Sequence, residues 1–403
     1  MQNAIKKYDV AVAGAGIAGV AAAIQSAREG KKTVLLEKTV LPGGLATTGM
    51  VYIYLPLCDG NGHQVAFGLA EELLKASIKY GPGKIPKWKL GQNAEEKRRY
   101  RVVFSPASFM LALDELLEKN GVDVWYDTLV CGAETNGGRV SSVYVENESG
   151  RIRIDAKCFI DASGTGILAR RAGIPGFDGE ANFLSMWALH YDKRLAGSAR
   201  FDLSPEVRMN MLGVPWDVKK APAGTVFRGI TGKQETEFLL NGRKMLLDFY
   251  KRQWKEGGVT RKELYPLHLP YMPQYRKVFA LKSLRDLQTG ENNKLFKDSV
   301  GMIGDWRKPG PVWEIPYRSL CPACGTGGFL AAGRCIGSLG DAWEVTRVIP
   351  TAAVTGQVAG LAASMSIEAG VEPAELKVKN LQGRLRDLGF PLHLPEVGLS
   401  YAE

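Results

Sequence analysis

Long hydrophobic runs are missing from this chain: no window approaches the roughly 18 uninterrupted apolar residues of a membrane span, so no transmembrane segment is expected. Cysteine is sparse. Six cysteines in 403 residues, with Cys58, Cys131, Cys158 and Cys335 well scattered, do not make the dense framework of a small secreted domain, and a reducing compartment, the cytoplasm, is expected. Cys321-Pro322-Ala323-Cys324 has ligand spacing, but no second cysteine pair lies near it and no metal site is expected. Repeats and low-complexity tracts are absent, which argues against a fibre, a solenoid or a tail. Acidic residues are outnumbered, leaving a formal charge of +10. Such a charge suits nucleic acid, an anionic membrane surface or an acidic substrate. Only the stretch from Lys84 to Arg101 is clearly basic, however, and it lacks the aromatic interleaving of a single-strand groove. It reads as a solvated face, and a nucleic-acid partner is not expected.

What is present is a chain long enough for two or more packed units. Tyr8 to Ala13 is apolar enough for a buried strand, Ile17 to Glu29 is Ala-rich and helical by propensity, and Gly30 ends that helix before a second buried strand, Lys32 to Glu37. The apolar run from Val10 to Ile24 after Lys6 and Lys7 imitates a secretory signal. It leads directly into the second strand, and the β-turn-α-β reading accounts for it better. A right-handed crossover makes the two strands parallel. Ser105 to Lys119 reads as a helix with Pro106 in its first turn, and Asp123 to Tyr126, Arg139 to Glu146 and Arg151 to Ala156 read as strands of a small sheet beside the first unit. Cys158 to Asp161 is another short strand, Phe329 to Ala332 returns to strand character, and Thr351 to Ala369 is a Gly/Ala-rich helix suited to tight packing.

Gly14-Ala15-Gly16-Ile17-Ala18-Gly19 lies between the first strand and the first helix, the context a dinucleotide fingerprint requires. The first glycine permits the turn, the second lets a diphosphate approach the backbone and the third lets helix and strand pack closely, with the helix N-terminus facing the anion. Glu37 ends the second strand, where a carboxylate accepts ribose hydroxyls and repels a 2′-phosphate, which disfavours NADP. The turn alone does not separate FAD from NAD.

Three further segments do. Leu41-Pro42-Gly43-Gly44-Leu45-Ala46-Thr47-Thr48-Gly49 resembles the loop that passes the diphosphate and ribityl chain in FAD-dependent oxidoreductases related to glutathione reductase. Asp161-Ala162-Ser163-Gly164-Thr165-Gly166 and Leu330-Ala331-Ala332-Gly333-Arg334-Cys335-Ile336 resemble the second and the C-terminal motifs of that superfamily. Within it, the chain is most similar to the FAD-dependent oxidoreductase family in which Ile315-Pro316-Tyr317-Arg318 precedes Ala332-Gly333-Arg334-Cys335-Ile336 and the Thr346-to-Thr351 helix start. The likeness covers roughly residues 8–50, 104–172 and 312–370 and is silent on the middle.

The resemblance implies an α/β fold: a Rossmann-like FAD-binding domain, with a parallel sheet and a small antiparallel one, formed by residues 1–172 and 312–403; the intervening 173–311, with aromatic residues, prolines and amphipathic stretches and no nucleotide-type turn, reads as a second, α+β substrate or cap domain. The FAD contacts it implies are Gly14, Gly16, Ile17, Ala18, Gly19, Glu37, Lys38, Gly43, Gly44, Leu45, Ala46, Thr47, Thr48, Val130, Ala162, Ser163, Gly164, Gly333, Arg334, Arg347, Thr351 and Ala352. It also implies that the helix after Pro350 points its N-terminus at the flavin pyrimidine ring, where its N–H groups and dipole stabilise the charge of the reduced cofactor.

The expected chemistry is hydride transfer between a small organic substrate and flavin N5, with Tyr317, Arg318 and Arg347 as candidate orienting groups. For Arg318 a structural ion pair is an equal alternative. His190, on an expected strand of the middle segment, is a candidate base, and His63 a candidate covalent attachment point for flavin. Cys321 and Cys324 are a candidate dithiol, against two small loop residues. Only one fingerprint of the Gly14 type occurs, so reoxidation is expected to use oxygen, a partner protein or a nicotinamide bound elsewhere. The rival reading is a flavoprotein whose main task is electron transfer or RNA binding, and homo-oligomerisation stays open.

Overall fold

The computed structural model describes residues 5–84, 101–179, 182–195, 203–213 and 226–402. The basic stretch therefore lies outside the described residues, save for Lys84 and Arg101.

Strand β1 (Ile5–Ala13), helix α1 (Ile17–Arg28) and strand β2 (Thr33–Leu36) build the β-turn-α-β unit, with β1 and β2 parallel and Val10 opposite Thr33. Every residue of α1 from Ile17 to Ser26 is buried. A helix covered all round has no need of an amphipathic stripe, which is why its sequence is small and apolar rather than periodic. Helix α2 (Pro106–Lys119) starts as its sequence dictates, with the Ser105 hydroxyl accepting from the Ser108 N–H and proline in the first turn.

Strand β3 (Asp123–Trp125) pairs in parallel with β2. Strands β4 (Leu129–Asn136), β5 (Arg139–Asn147) and β6 (Gly150–Asp161) follow as an antiparallel run. Here the structure departs from the sequence expectation twice. The stretches 151–156 and 158–161 are one strand of 12 residues, not two. Its first part alternates and pairs with β5, while Cys158 to Asp161 is wholly buried, so one strand presents two hydrophobic patterns. The antiparallel run is also no separate sheet: β6 pairs in parallel with β1 along its length and joins both sets into a single sheet. Strand β4 was invisible to pattern reading because its register with β5 breaks between Val130 and Gly132.

The stretch that follows builds a three-stranded antiparallel sheet from β7 (Ser185–Asp192), β8 (Val207–Gly213) and β9 (Leu264–His268), with β7 central. Helix α3 (Gly232–Glu256), capped by Thr231, packs its Phe238 and Leu246 against Met186 and Ala188 of β7. The alternate residues, Trp187 and Leu189, enter the main core instead. Strand β10 (Phe329–Ala331) then returns to the far edge of β6, parallel, beside the end at which the glycine motifs lie. Short helix α4 (Gly340–Thr346) leads into α5 (Ile349–Ala369), which packs along α1. A Cβ on Gly356 would stand 2.1 Å from the Ala18 carbonyl oxygen, and one on Gly360 2.3 Å from that of Ala22, so the two helix backbones touch. The whole is an α/β fold with a parallel sheet extended by antiparallel strands. Among the described residues no single helix is long and apolar enough to cross a membrane.

Candidate active site

The three glycines of the first turn do three different things. Gly14 has φ +94°, and a Cβ there would meet Ser163 Cα at 2.7 Å. A Cβ on Gly19 would stand 1.8 Å from the Gly14 carbonyl oxygen, so this position is closed by packing alone. Gly16 is the opposite: its φ of −64° suits any residue and nothing but the Ala162 oxygen, at 3.9 Å, lies within reach of an added Cβ. The fold has no use for a glycine at 16. The open space above it does, because it lets another molecule reach the backbone.

That space is a cleft where four segments meet. Gly14, Gly16, Ile17 and Ala18 form one wall, and Gly43, Gly44, Leu45, Ala46 and Thr48 another; Gly43 donates its N–H to the Ala15 carbonyl at 2.7 Å. Ala162, Ser163 and Gly164 come from the end of β6, held by Asp161, whose buried carboxylate accepts from the Ser163 hydroxyl at 2.6 Å and the Ala169 N–H at 2.9 Å. Gly333, Arg334, Arg347 and Ala352 complete it, with the Gly333 N–H donated to Thr355 Oγ1 at 2.9 Å. Glu37, Lys38 and Val130 line it as well. Glu37 accepts from the Ala15 N–H at 2.7 Å and from the Thr39 N–H and hydroxyl at 2.9 Å each. A carboxylate has about four acceptor sites, so one stays available to a ribose.

Arg334 is a buried cation among the residues that line the cleft. Nine-tenths buried, it donates to the carbonyls of Gly164 and Tyr275, at 2.7 Å each, and no carboxylate is paired with it among the described residues. Burial, with the like charge of Arg347, pulls its guanidinium down to about 10. A guanidinium remains charged at neutral pH all the same, so this side chain is a fixed cation on the cleft wall.

Other expected residues lie elsewhere. Gly19, Thr47 and Thr351 stand behind the lining: Thr47 Oγ1 donates to the Pro42 carbonyl and Thr351 Oγ1 to that of Val345. Tyr317 is fully buried and donates to the Pro373 carbonyl at 2.7 Å, away from the cleft, and burial holds its hydroxyl far above the ordinary range. Arg318 is half exposed and forks onto Asp298, 2.8 Å away, the structural alternative named above. Of the three candidate orienting groups the structure brings only Arg347 to the cleft. His190 faces α3, between Phe249 and Tyr250, because period-2 alternation sends it to the side opposite Trp187 and Leu189. His63 is bonded to Asp59 at 3.0 Å and does not line the cleft. Cys321 is buried, its thiol pushed up to about 12 by burial, while Cys324 is exposed; no disulfide joins them and neither lines the cleft.

Sequence reading missed a further set of lining residues, Gly229 to Gly232, Glu235 and Met272, all from the middle segment. The Thr231 cap of α3 was a visible signal, since its side chain accepts from the Gln234 N–H three residues on. Nothing in the sequence aimed that helix start at the cleft. Met272 belongs to a loop stitched to the flavoprotein-like one: the Tyr271 N–H donates to the Thr48 carbonyl at 2.8 Å, and Gln274 Nε2 to that of Gly49 at 2.6 Å.

Four turns converging on one cleft are the arrangement of a dinucleotide-binding flavoprotein, and the family model described as FAD dependent oxidoreductase matches residues 9–195 and 286–385. The chain belongs to this family. The family is one of oxidoreductases whose cofactor is FAD. Protein FixC of Bradyrhizobium diazoefficiens is 25% identical over 244 residues, 56% of this chain and 51% of that protein. The digeranylgeranylglycerophospholipid reductase of Picrophilus torridus is 31% identical over 165 residues, 39% of each chain. This chain thus spans about half or less of the curated relatives it matches. A geranylgeranyl bacteriochlorophyll reductase-like protein of Thermoplasma acidophilum shares the fold at a TM-score of 0.52, with 16% identity over 95% of this chain and 83% of that one. The p-nitrophenol 4-monooxygenase of Pseudomonas putida DLL-E4 shares it at 0.50, with 14% identity over 95% and 84%.

Proposed function

We propose that the protein transfers hydride between a small organic substrate and FAD bound in this cleft. The observation that carries the reading is the convergence of the Gly14, Gly43, Gly164 and Gly333 turns around open space beside an unneutralised Arg334. Bound there, FAD supplies a two-electron acceptor at N5 whose reduced form carries negative charge near N1 and O2. The Gly14–Gly16 backbone and the N-terminus of α1 hold the diphosphate, with Arg334 as its counter-charge. Glu37 holds the adenosine ribose through its remaining acceptor site, beside Lys38 and Val130. Ile349 and Ala352 at the head of α5 stand at the flavin end with Arg347, which orients the substrate.

Residues 173–311 act as the cap in this reading, and 1–172 with 312–403 as the discontinuous cofactor domain. What supports it is the loop 271–274, which connects Thr48 and Gly49 to β7: the Trp187 N–H donates to Gln274 Oε1 at 2.8 Å. The cap excludes water from one face of the cleft, which strengthens every charge inside it.

The test is anaerobic titration of the purified, FAD-reconstituted protein with organic hydride donors and acceptors, following the flavin absorbance. Saturable bleaching by one compound, unaffected by RNA, supports the reading. A flavin that binds but exchanges electrons only with a protein partner would replace it by electron transfer.

A further inference from the structure

The placement above leaves one buried charge without a task. Arg276 is 4% exposed. Its Nη1 donates to the Gln274 carbonyl at 2.6 Å, its Nη2 has no partner, and its guanidinium lies over the Trp187 ring, 4.7 Å from the centroid. The residue before it, Tyr275, gives its carbonyl to Arg334, so two guanidinium groups are tied to neighbouring points of one loop. Arg347, on the cleft wall, repels both.

The carboxylate whose field reaches Arg276 is Glu344, and it is already shared: Arg347 and Lys277 each stand 2.5 Å from it. Although burial pushes Glu344 up, those two cations hold it down at about 2. Around Arg276 the balance is therefore positive, and burial pulls its guanidinium well below the usual range. A trapped water would satisfy Nη2 but leave the charge uncompensated. An anion bound in the cleft, whose wall includes Arg334 and Arg347 and lies beyond Arg276 itself, would compensate it.

We propose that Arg276 is a charge-positioning residue for the bound cofactor: with Arg347 it holds positive potential toward the flavin end of the cleft and raises the reduction potential of FAD. The inference rests on the cofactor placement proposed above. Two-electron reduction adds negative charge to the cofactor, and in a site closed to water a fixed cation nearby stabilises that charge without reorganising. Guanidinium groups suit the task because they stay protonated when buried. The bias also sets a direction, since a cofactor held avid for electrons takes hydride from its substrate more readily than it returns it.

The test is the reduction potential of the holoprotein, measured by equilibration with reference dyes beside free FAD. Wild type lies above free FAD. Arg276→Gln shifts the equilibrium toward the oxidised state by at least tenfold, about 30 mV for a two-electron couple, and Arg276→Lys recovers most of it. Glu344→Gln removes a negative charge from the same cluster and moves the potential the other way. Opposite shifts in the two variants are an outcome that loosened packing does not produce. Should Arg276→Gln fail to hold flavin, Glu344→Gln decides alone: an upward shift supports the assignment and an unchanged potential overturns it. A wild-type potential at or below that of free FAD, or equal potentials in all variants, overturns it too. A protein with no flavin band even after FAD is added would sink the placement itself, a different result from a flavoprotein with an unshifted potential.

Discussion

The glycine-turn region and the β7–β8–β9 sheet with α3 are built on different principles. In the first, the N–H groups of the turns are held by side chains, Asp161 and Glu37 among them with Thr355 on Gly333, and among the described residues Arg170 Nε is the buried polar atom left over. In the second, more buried polar atoms are left over, among them Ser185 Oγ and both ring nitrogens of His190, with Nη2 of Arg276 on the adjoining loop. One region is a fixed receptor whose shape follows from steric rules. The other carries stored polarity, whose purpose depends on what it faces.

The largest expected effect breaks the first region. Gly19→Val drives a side chain into the Gly14 carbonyl, 1.8 Å from the Cβ position, and destabilises the protein by about 3 kcal/mol or more in denaturant unfolding. An unchanged midpoint would show that the α1 start is not packed as described.

The second region responds to acid. Burial lowers His190 to about 4, with Asp192 opposing and Arg208 and Arg194 adding to the shift. A folded value below the ordinary 6.5 favours the neutral ring in the native state, so its contribution is complete above about pH 6.5 and fades as pH falls toward 4. Over that window wild type loses on the order of 3 kcal/mol that His190→Leu does not lose. Parallel pH profiles would contradict the burial of an unpaired imidazole.

Gly16→Ala separates fold from function within the first region. The thermal midpoint of the apoprotein stays within about 2 °C, because the Cβ enters open space, while FAD affinity falls at least tenfold, about 1.4 kcal/mol. Equal affinities would mean that the diphosphate lies elsewhere. The smallest effects belong to two residues away from the cleft. Tyr317→Phe costs about 1 kcal/mol through the lost bond to Pro373, and Arg318→Ala, at a half-exposed ion pair, less than about 1 kcal/mol. Both leave flavin reduction rates unchanged in stopped-flow traces; a slowed step in either would restore it as a candidate orienting group.

The same contrast explains what was legible. The turns at Gly14, Gly43, Gly164 and Gly333 could be read because each needs small residues at fixed places, a constraint the chain writes locally. Strand β4 could not, since a break in register interrupts its alternation, and β6 read as two strands because its neighbours change along its length. Tyr317 and His190 show the limit for sites: motif position drew attention to both, but which way a side chain points is set by tertiary packing. Arg276 and Met272 lay in a stretch with no motif. They come to matter only because Gln274 ties their loop to Gly49 and Trp187.

In the proposed function the four turns form one receptor for FAD. Titration of apoprotein with FAD, followed by the change in the visible flavin spectrum, tests it directly when wild type and Gly16→Ala are compared. Wild type is expected to bind one FAD per chain and the variant at least tenfold more weakly, both folded. Binding of equal strength in the two proteins, or none in wild type, would contradict it.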